Sequence, residues 1–175
     1  ATIGSSHARR KPGGPRRTVA LVRGGHEPVP PAFFRQMRDR LARQGLLCVD
    51  HAMISERFGG LPPDAPQVLE WLDRLEGDGS PVFYIGDDSL TDWTELCIRQ
   101  ADEVVLVTSG DVPTAELSAI ERRVEKYHPQ AACRLVRLHP RRRGVVEGTA
   151  AWLARTPVLL HHHVSLEDNA DIDAL

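Results

Sequence analysis

Apolar positions along this chain fall into short continuous runs that alternate with helix-spaced stripes. The runs at 82–85 (VFYI) and 104–107 (VVLV) consist of Val, Ile, Leu, Phe and Tyr and are bounded by polar or turn residues. Continuous apolar runs of that length read as strands buried on both faces. Residues 91–101 between them have the length of a helix. Two buried strands joined by one helix make a βαβ unit, which requires a parallel sheet and a right-handed crossover. The first of these strands ends at Gly86, Asp87 and Asp88, on the carboxyl edge where such sheets hold ligands.

The same alternation runs through most of the chain. Residues 18–22 (TVALV) predict a strand, and residues 23–27 a turn followed by Pro28, Pro30 and Pro31. Proline suits a first helical turn, so a helix starts near Pro31. Phe33, Phe34, Met37 and Leu41 form its buried stripe and Gly45 ends it. Residues 46–49 predict the second strand. Residues 51–63, broken by Gly59-Gly60 and Pro62-Pro63, predict an irregular mobile loop. A helix follows at 66–75, with Val68, Leu69, Leu72 and Leu75 on one side. Another follows at 114–127, with Leu117, Ile120 and Val124 inward and Glu121, Arg122, Arg123 and Glu125 in solvent. A strand at 133–138, a short helix at 149–155 and a strand at 158–166 complete the pattern. The expected fold is α/β: a three-layer α/β/α sandwich with a mainly parallel sheet in one domain, 18–166. Residues 1–17 read as a flexible basic lead-in, and residues 167–175 as an acidic tail.

Composition narrows the classes of partner. A net charge of −2 supplies no field for nucleic acid, so no such partner is expected. The three cysteines, Cys48, Cys97 and Cys133, are widely spaced and never C-x-x-C, which predicts free thiols in a reducing compartment. No apolar run approaches membrane-span length and no leader-like apolar segment is visible. The expected location is cytoplasmic.

In doubly wound proteins the first strand often leads into a phosphate-binding turn. That turn needs glycines for close approach, a lysine for the β/γ phosphates and a Ser or Thr for magnesium. Here it reads RGGHEPVPPAFF: Gly24 and Gly25 are present, but no Lys, Ser or Thr follows. Glu27 adds negative charge, and Pro28, Pro30 and Pro31 lack the N–H that would cradle an anion. A G-x-G-x-x-G fingerprint is absent. At residues 161–163 strand alternation puts His161 and His163 on one face and His162 on the other. His139 could complete a zinc set with them, but edge-strand or interface histidines are the expectation, with no metal and no cofactor. On the 91–101 helix, Trp93, Cys97 and Gln100 are neighbours. Trp93 packing on the sheet, with Arg99 capping or pairing with Asp102, is one reading; a docking face for another domain is the other. The basic residues 141–143 read as a solvated loop.

Two resemblances go beyond these patterns. A strand ending in Asp, a short helix and then ADEVVLVTSGDVPTAELSAIER resembles the partition- and septum-site ATPases of the ParA/MinD type. That likeness implies a P-loop NTPase-like fold over roughly 18–166, with Asp87 or Asp88 at the Walker-B position. It carries over no ATPase chemistry, since the phosphate loop lacks the residues. More specifically, Asp88, Ser89, Leu90, Thr91, Trp93, Thr94, Cys97, Ile98, Arg99, Gln100, Ala101 and Asp102 match a D-S-L-T-x-W-T-x-x-C-I-R-Q-A-D pattern. This pattern resembles the region between the cyclic-nucleotide-binding and patatin domains of neuropathy target esterase-like phospholipases. LVRLHP at 135–140, G-T-x-x-W-L at 148–153 and the histidine run fit the same family.

The resemblance implies a parent serine esterase acting on (lyso)phospholipids, of which this segment is a linking, regulatory piece. No G-x-S-x-G elbow occurs in the chain, so no catalytic residue is assigned to it. The implied partners are the neighbouring cyclic-nucleotide-binding and patatin domains, with membrane contact only through the parent. Candidate interdomain contacts are Trp93, Arg99, Gln100, His161 and His163. The alternative is a divergent ParA/MinD-like NTPase or nucleotide-binding module.

Overall fold

The computed structural model describes residues 18–77, 79–110, 112–140, 148–156, 158 and 160–165. The expected lead-in at 1–17, the basic loop at 141–143 and the tail at 167–175 lie outside these residues. The elements alternate as β1 (Thr18–Arg23), α1 (Pro31–Arg43), β2 (Leu47–Asp50), α2 (His51–Phe58), α3 (Pro66–Gly77), β3 (Val82–Ile85) and α4 (Asp92–Gln100). They continue as β4 (Glu103–Ser109), α5 (Ala119–Tyr127), a 3-10 turn (Gln130–Ala132), β5 (Cys133–His139), α6 (Thr149–Arg155) and β6 (Leu160–Ser165). The strands form one six-stranded sheet in the order β2-β3-β1-β4-β5-β6, and every pairing is parallel.

This order decides where each helix lies. The β1-to-β2 connection moves one way across the sheet, whereas every later connection moves the other way. Right-handed crossovers therefore place α1 on one face and α3 to α6 on the opposite face. The two cores match. Phe33, Phe34, Met37 and Leu41 of α1 pack with Leu21, Ile85, Val107 and Val136. On the other face Val68, Leu72, Trp93, Ile120, Val124 and Trp152 pack with Ala20, Val22, Tyr84, Val104, Leu106 and Leu135. Adjacent strand residues thus serve opposite layers, as a pleat requires.

Three differences from the sequence expectation have local causes. Residues 51–58 form a helix instead of an irregular loop: Asp50 caps it by accepting from the Met53 amide at 2.9 Å, Gly59 ends it at φ +61°, and Ile54 is buried. Helix α5 begins at Ala119, where Ser118 and Glu121 form a capping box, so Leu117 lies before it. Glu121 is buried, not in solvent, because its carboxylate pairs with Arg155 of α6 at 2.7 Å.

Trp93 anchors α4. Its indole is fully buried, stands edge-on to Tyr84 with ring centroids 6.1 Å apart, and donates from Nε1 to the Ile85 carbonyl at 2.8 Å. Trp93→Ala is expected to cost about 3–5 kcal/mol in urea unfolding, the usual range for emptying a buried aromatic site. Trp93→Phe keeps most of the apolar area but orphans the Ile85 carbonyl, at about 1–3 kcal/mol. A loss below about 1 kcal/mol for the alanine variant would contradict this placement.

Candidate functional site

In this order the connection leaving β1 turns toward β2, while the one leaving β3 passes across β1 to β4. The carboxyl end of β1 is therefore the crevice where α/β sheets hold ligands. Two backbone donors at this edge are already engaged. The Gly24 amide donates to Val107 O at 2.8 Å, and the Gly86 amide to Leu21 O at 3.0 Å. Both loop glycines are hemmed in: a Cβ on Gly24 would lie 2.8 Å from Thr108 Cγ2, and one on Gly25 2.7 Å from the Trp152 ring. Gly25 also takes φ +72°, a conformation that favours glycine.

Arg23 is bound to the protein at the same edge. Its Nη1 donates to Gly86 O at 2.9 Å, its Nη2 pairs with Asp88 Oδ1 at 2.5 Å, and the guanidinium lies 4.2 Å from the Phe34 ring centroid. Burial pulls its pKa below the usual range, while Asp88 and Asp87 pull it back up. The cation is thus spent on the protein's own acceptors.

At the end of β3, Asp87 works as a structural cap. Its amide donates to Thr94 Oγ1 at 2.9 Å, while its carboxylate accepts from Thr91 Oγ1 at 2.5 Å and meets His51 Nδ1 at 2.8 Å. Thr91 in turn caps α4 by accepting from the Thr94 amide at 3.2 Å, and Thr94 Oγ1 donates to Ser89 O at 2.9 Å. The His51 ring stacks toward Trp93 at 6.3 Å. The D-S-L-T-x-W-T motif is therefore one hydrogen-bonded turn that fixes α4 on β3. His51 was not visible as a participant in the sequence; its only signal was its place directly after a strand-ending Asp.

The five candidate contact residues separate. Trp93 is interior, which removes it from any docking face. Gln100 is half-buried, its carbonyl accepting from Thr18 Oγ1 at 3.2 Å. Arg99 is exposed, and it does not pair with Asp102, whose carboxylate accepts from Thr18 Oγ1 at 2.9 Å. His161 and His163 do share a face of edge strand β6, with His161 exposed and His163 half-buried. His163 Nδ1 meets His139 Nε2 at 3.1 Å, and His163 Nε2 lies 3.5 Å from Thr149 Oγ1, which also accepts from the buried Arg137 at 2.8 Å. No group of three or more His, Cys, Asp or Glu among the described residues is placed to share a metal ion. The cysteines are free, with burial pushing Cys48 and Cys133 up to about 11 and Cys97 upward as well. None is a reactive thiolate at neutral pH.

A model of the Neuropathy Target Esterase family P-loop like domain matches residues 39–174. The chain belongs to the neuropathy target esterase family. Relatives of this neuropathy target esterase domain span animals and fungi. The chain is 30% identical to patatin-like phospholipase domain-containing protein 7 of Rattus norvegicus over 146 residues, covering 81% of the chain and 11% of that relative. It is 33% identical to neuropathy target esterase sws of Drosophila melanogaster over 153 residues, 84% of the chain and 11% of the relative. It is 34% identical to lysophospholipase NTE1 of Cryptococcus neoformans var. neoformans serotype D over 102 residues, 57% of the chain and 6% of the relative. The chain thus spans only 6–11% of the length of these curated relatives. No solved structure matches it. The six parallel strands and the family match agree on a P-loop-like α/β fold. Among the described residues no helix is long and apolar enough to cross a membrane.

Desolvation first, and then Arg137 and the neighbouring histidines, lower the pKa of His163 below 6.5. Folding thus favours its neutral form. That stability is full above the unfolded pKa of about 6.5 and is lost as pH falls through the lowered folded value. Thermal unfolding followed from about pH 8 to pH 5 should show an acid-side loss that His163→Asn reduces. Equal acid-side losses in the two proteins would contradict this account of the cluster.

Proposed function

We propose that this domain is a non-catalytic, structural and regulatory part of a patatin-like phospholipase. In this reading it links cyclic-nucleotide-binding domains to a catalytic domain that hydrolyses (lyso)phospholipid esters. The observation that carries the proposal is the engagement of Arg23 with Asp88 and Gly86 at the crevice of the sheet. A working nucleotide site at that position presents open donors to phosphate. Here the loop amide is bonded to β4 and the cation is bonded to a carboxylate. The names of the relatives support the parent's chemistry: two are phospholipase or lysophospholipase by name and one an esterase. The absence of a G-x-S-x-G elbow from the chain supports placing the nucleophile elsewhere in such a parent. Exposed Arg99 and His161 are the proposed contacts to a neighbouring domain.

Magnesium-ATP and cyclic nucleotides are expected to give no calorimetric heat and no rise in Tm with this chain. A true ligand at a hundredfold excess over its Kd would add about 2.7 kcal/mol of stability. Such a rise with magnesium-ATP would favour the competing nucleotide-module reading. For the linking role, Arg99→Glu with His161→Glu should leave the domain's own stability within about 0.5 kcal/mol, as exposed substitutions do. The same changes in the full-length parent should alter ester hydrolysis. Unchanged hydrolysis would overturn the docking role of these residues.

A further inference from the structure

Charge is unevenly placed on this domain. Helix α1 carries Arg35, Arg38, Arg40 and Arg43 against Asp39 alone. No other helix among the described residues holds an excess above one positive charge. On the opposite face α3 is acidic, with Glu70, Asp73 and Glu76 against Arg74. Right-handed crossovers leave α1 by itself on its face of the sheet, so no neighbouring helix dilutes its charge. We propose that this face docks on an anionic phospholipid bilayer, a contact made by the domain itself and independent of the linking role.

The helix turns its cations outward. Phe33, Phe34, Met37 and Leu41 point to the sheet. Helical spacing then sends Arg35 directly outward, Arg38 to the flank beside β2, and Arg40 and Arg43 to the other flank. Arg38 is tied to Asp50, and Arg40 is half-buried. Arg35 is exposed and makes no ion pair among the described residues. Arg43 is exposed too, and among the described residues it bonds only the Asp39 carbonyl of its own helix, at 3.3 Å. These two open guanidiniums stand about 12 Å apart along the axis, a spacing that an extended array of phosphates engages and one small anion does not. The surface beside the helix is apolar. One helix about 10 Å wide cannot cover six strands spaced about 4.8 Å apart. A groove of about 340 Å³ is left, walled by Phe33 and Met37 and floored in part by Val19, Phe83 and Val105, each only half-buried. Leu160 of β6, on this face beside Arg134, is 50% exposed. Glu103 adds no open anion to the groove, since Arg134 pairs with it. Open arginines bordering unfilled apolar surface suit headgroups and acyl chains together, whereas a nucleic acid matches the charge but not the groove.

The test is sedimentation of the full chain with vesicles of phosphatidylcholine alone, and of phosphatidylcholine and phosphatidylserine at seven parts to three. The expected result is binding to the mixed vesicles alone, lost in about 0.5 M salt. Arg35→Gln with Arg43→Gln should weaken it about 25-fold, at about fivefold for each arginine near an anionic leaflet. Arg74→Gln with Arg122→Gln removes the same charge from exposed positions of α3 and α5 and should leave binding unchanged. Glutamine suits an exposed helix position, and circular dichroism checks the fold of each variant. Five further cations lie at 9–17, and binding carried by them would survive Arg35→Gln with Arg43→Gln. Such survival, equal loss in both double variants, equal binding to phosphatidylcholine alone, or no binding to the mixed vesicles would each overturn the proposal. A DNA duplex of about 20 base pairs is titrated at equal phosphate concentration. Tighter binding of the duplex than of the mixed vesicles, lost in Arg35→Gln with Arg43→Gln, would assign the face to nucleic acid and overturn it as well.

Discussion

Much of this domain hangs on the guanidinium of Arg23. It leaves the end of the central strand, reaches the turn after β3 through Gly86 O and Asp88, and rests on the Phe34 ring of α1. One side chain thereby ties the first strand, the first helix and the third strand together at the edge where a P-loop-like sheet would otherwise grip a phosphate. A buried cation needs acceptors around it, or desolvation makes it costly. Here the acceptors come from the protein. The energetic consequence is local rigidity, and the chemical consequence is a guanidinium already committed to the protein's own acceptors.

Around that pin, the polar residues of the β3-to-α4 turn form a closed circuit. Asp87, Thr91, Thr94 and Ser89 O satisfy one another, and Trp93 drives the helix onto the sheet. Fully satisfied networks of this kind specify one arrangement. The family motif at 88–102 is therefore a structural signature: among its side chains Trp93, Thr94, Cys97 and Ile98 are buried, and Arg99 faces outward. On the far side, the Glu121–Arg155 pair performs a similar task, joining α5 to α6 below the sheet's carboxyl edge.

The sheet was legible because both faces of its central strands are apolar, and VFYI and VVLV permit little else. The βαβ order followed from residue types alone. Helix α2 was hidden because Gly59, Gly60 and two prolines dominate its neighbourhood, whereas the short stretch before them is decided by one Asp50 cap. Glu121 was read as solvated because a carboxylate on a helix usually is; only the approach of Arg155, 34 residues away, buries it. His51 and Asp87 are likewise separated by 36 residues. Long-range polar pairs carry no periodicity, so a pattern-based reading has no signal for them. The Arg23–Asp88 contact falls in the same class: the missing lysine was visible, but not the arginine that takes over the edge.

The account's central claim is that the Gly24 and Gly86 amides at the carboxyl edge of the sheet are occupied from within. Amide hydrogen exchange, resolved at Gly24 and Gly86 with and without millimolar pyrophosphate, tests this most directly. Strong protection in the free chain, unchanged by pyrophosphate, is the predicted result. Fast exchange at these glycines that slows when pyrophosphate is added would contradict it.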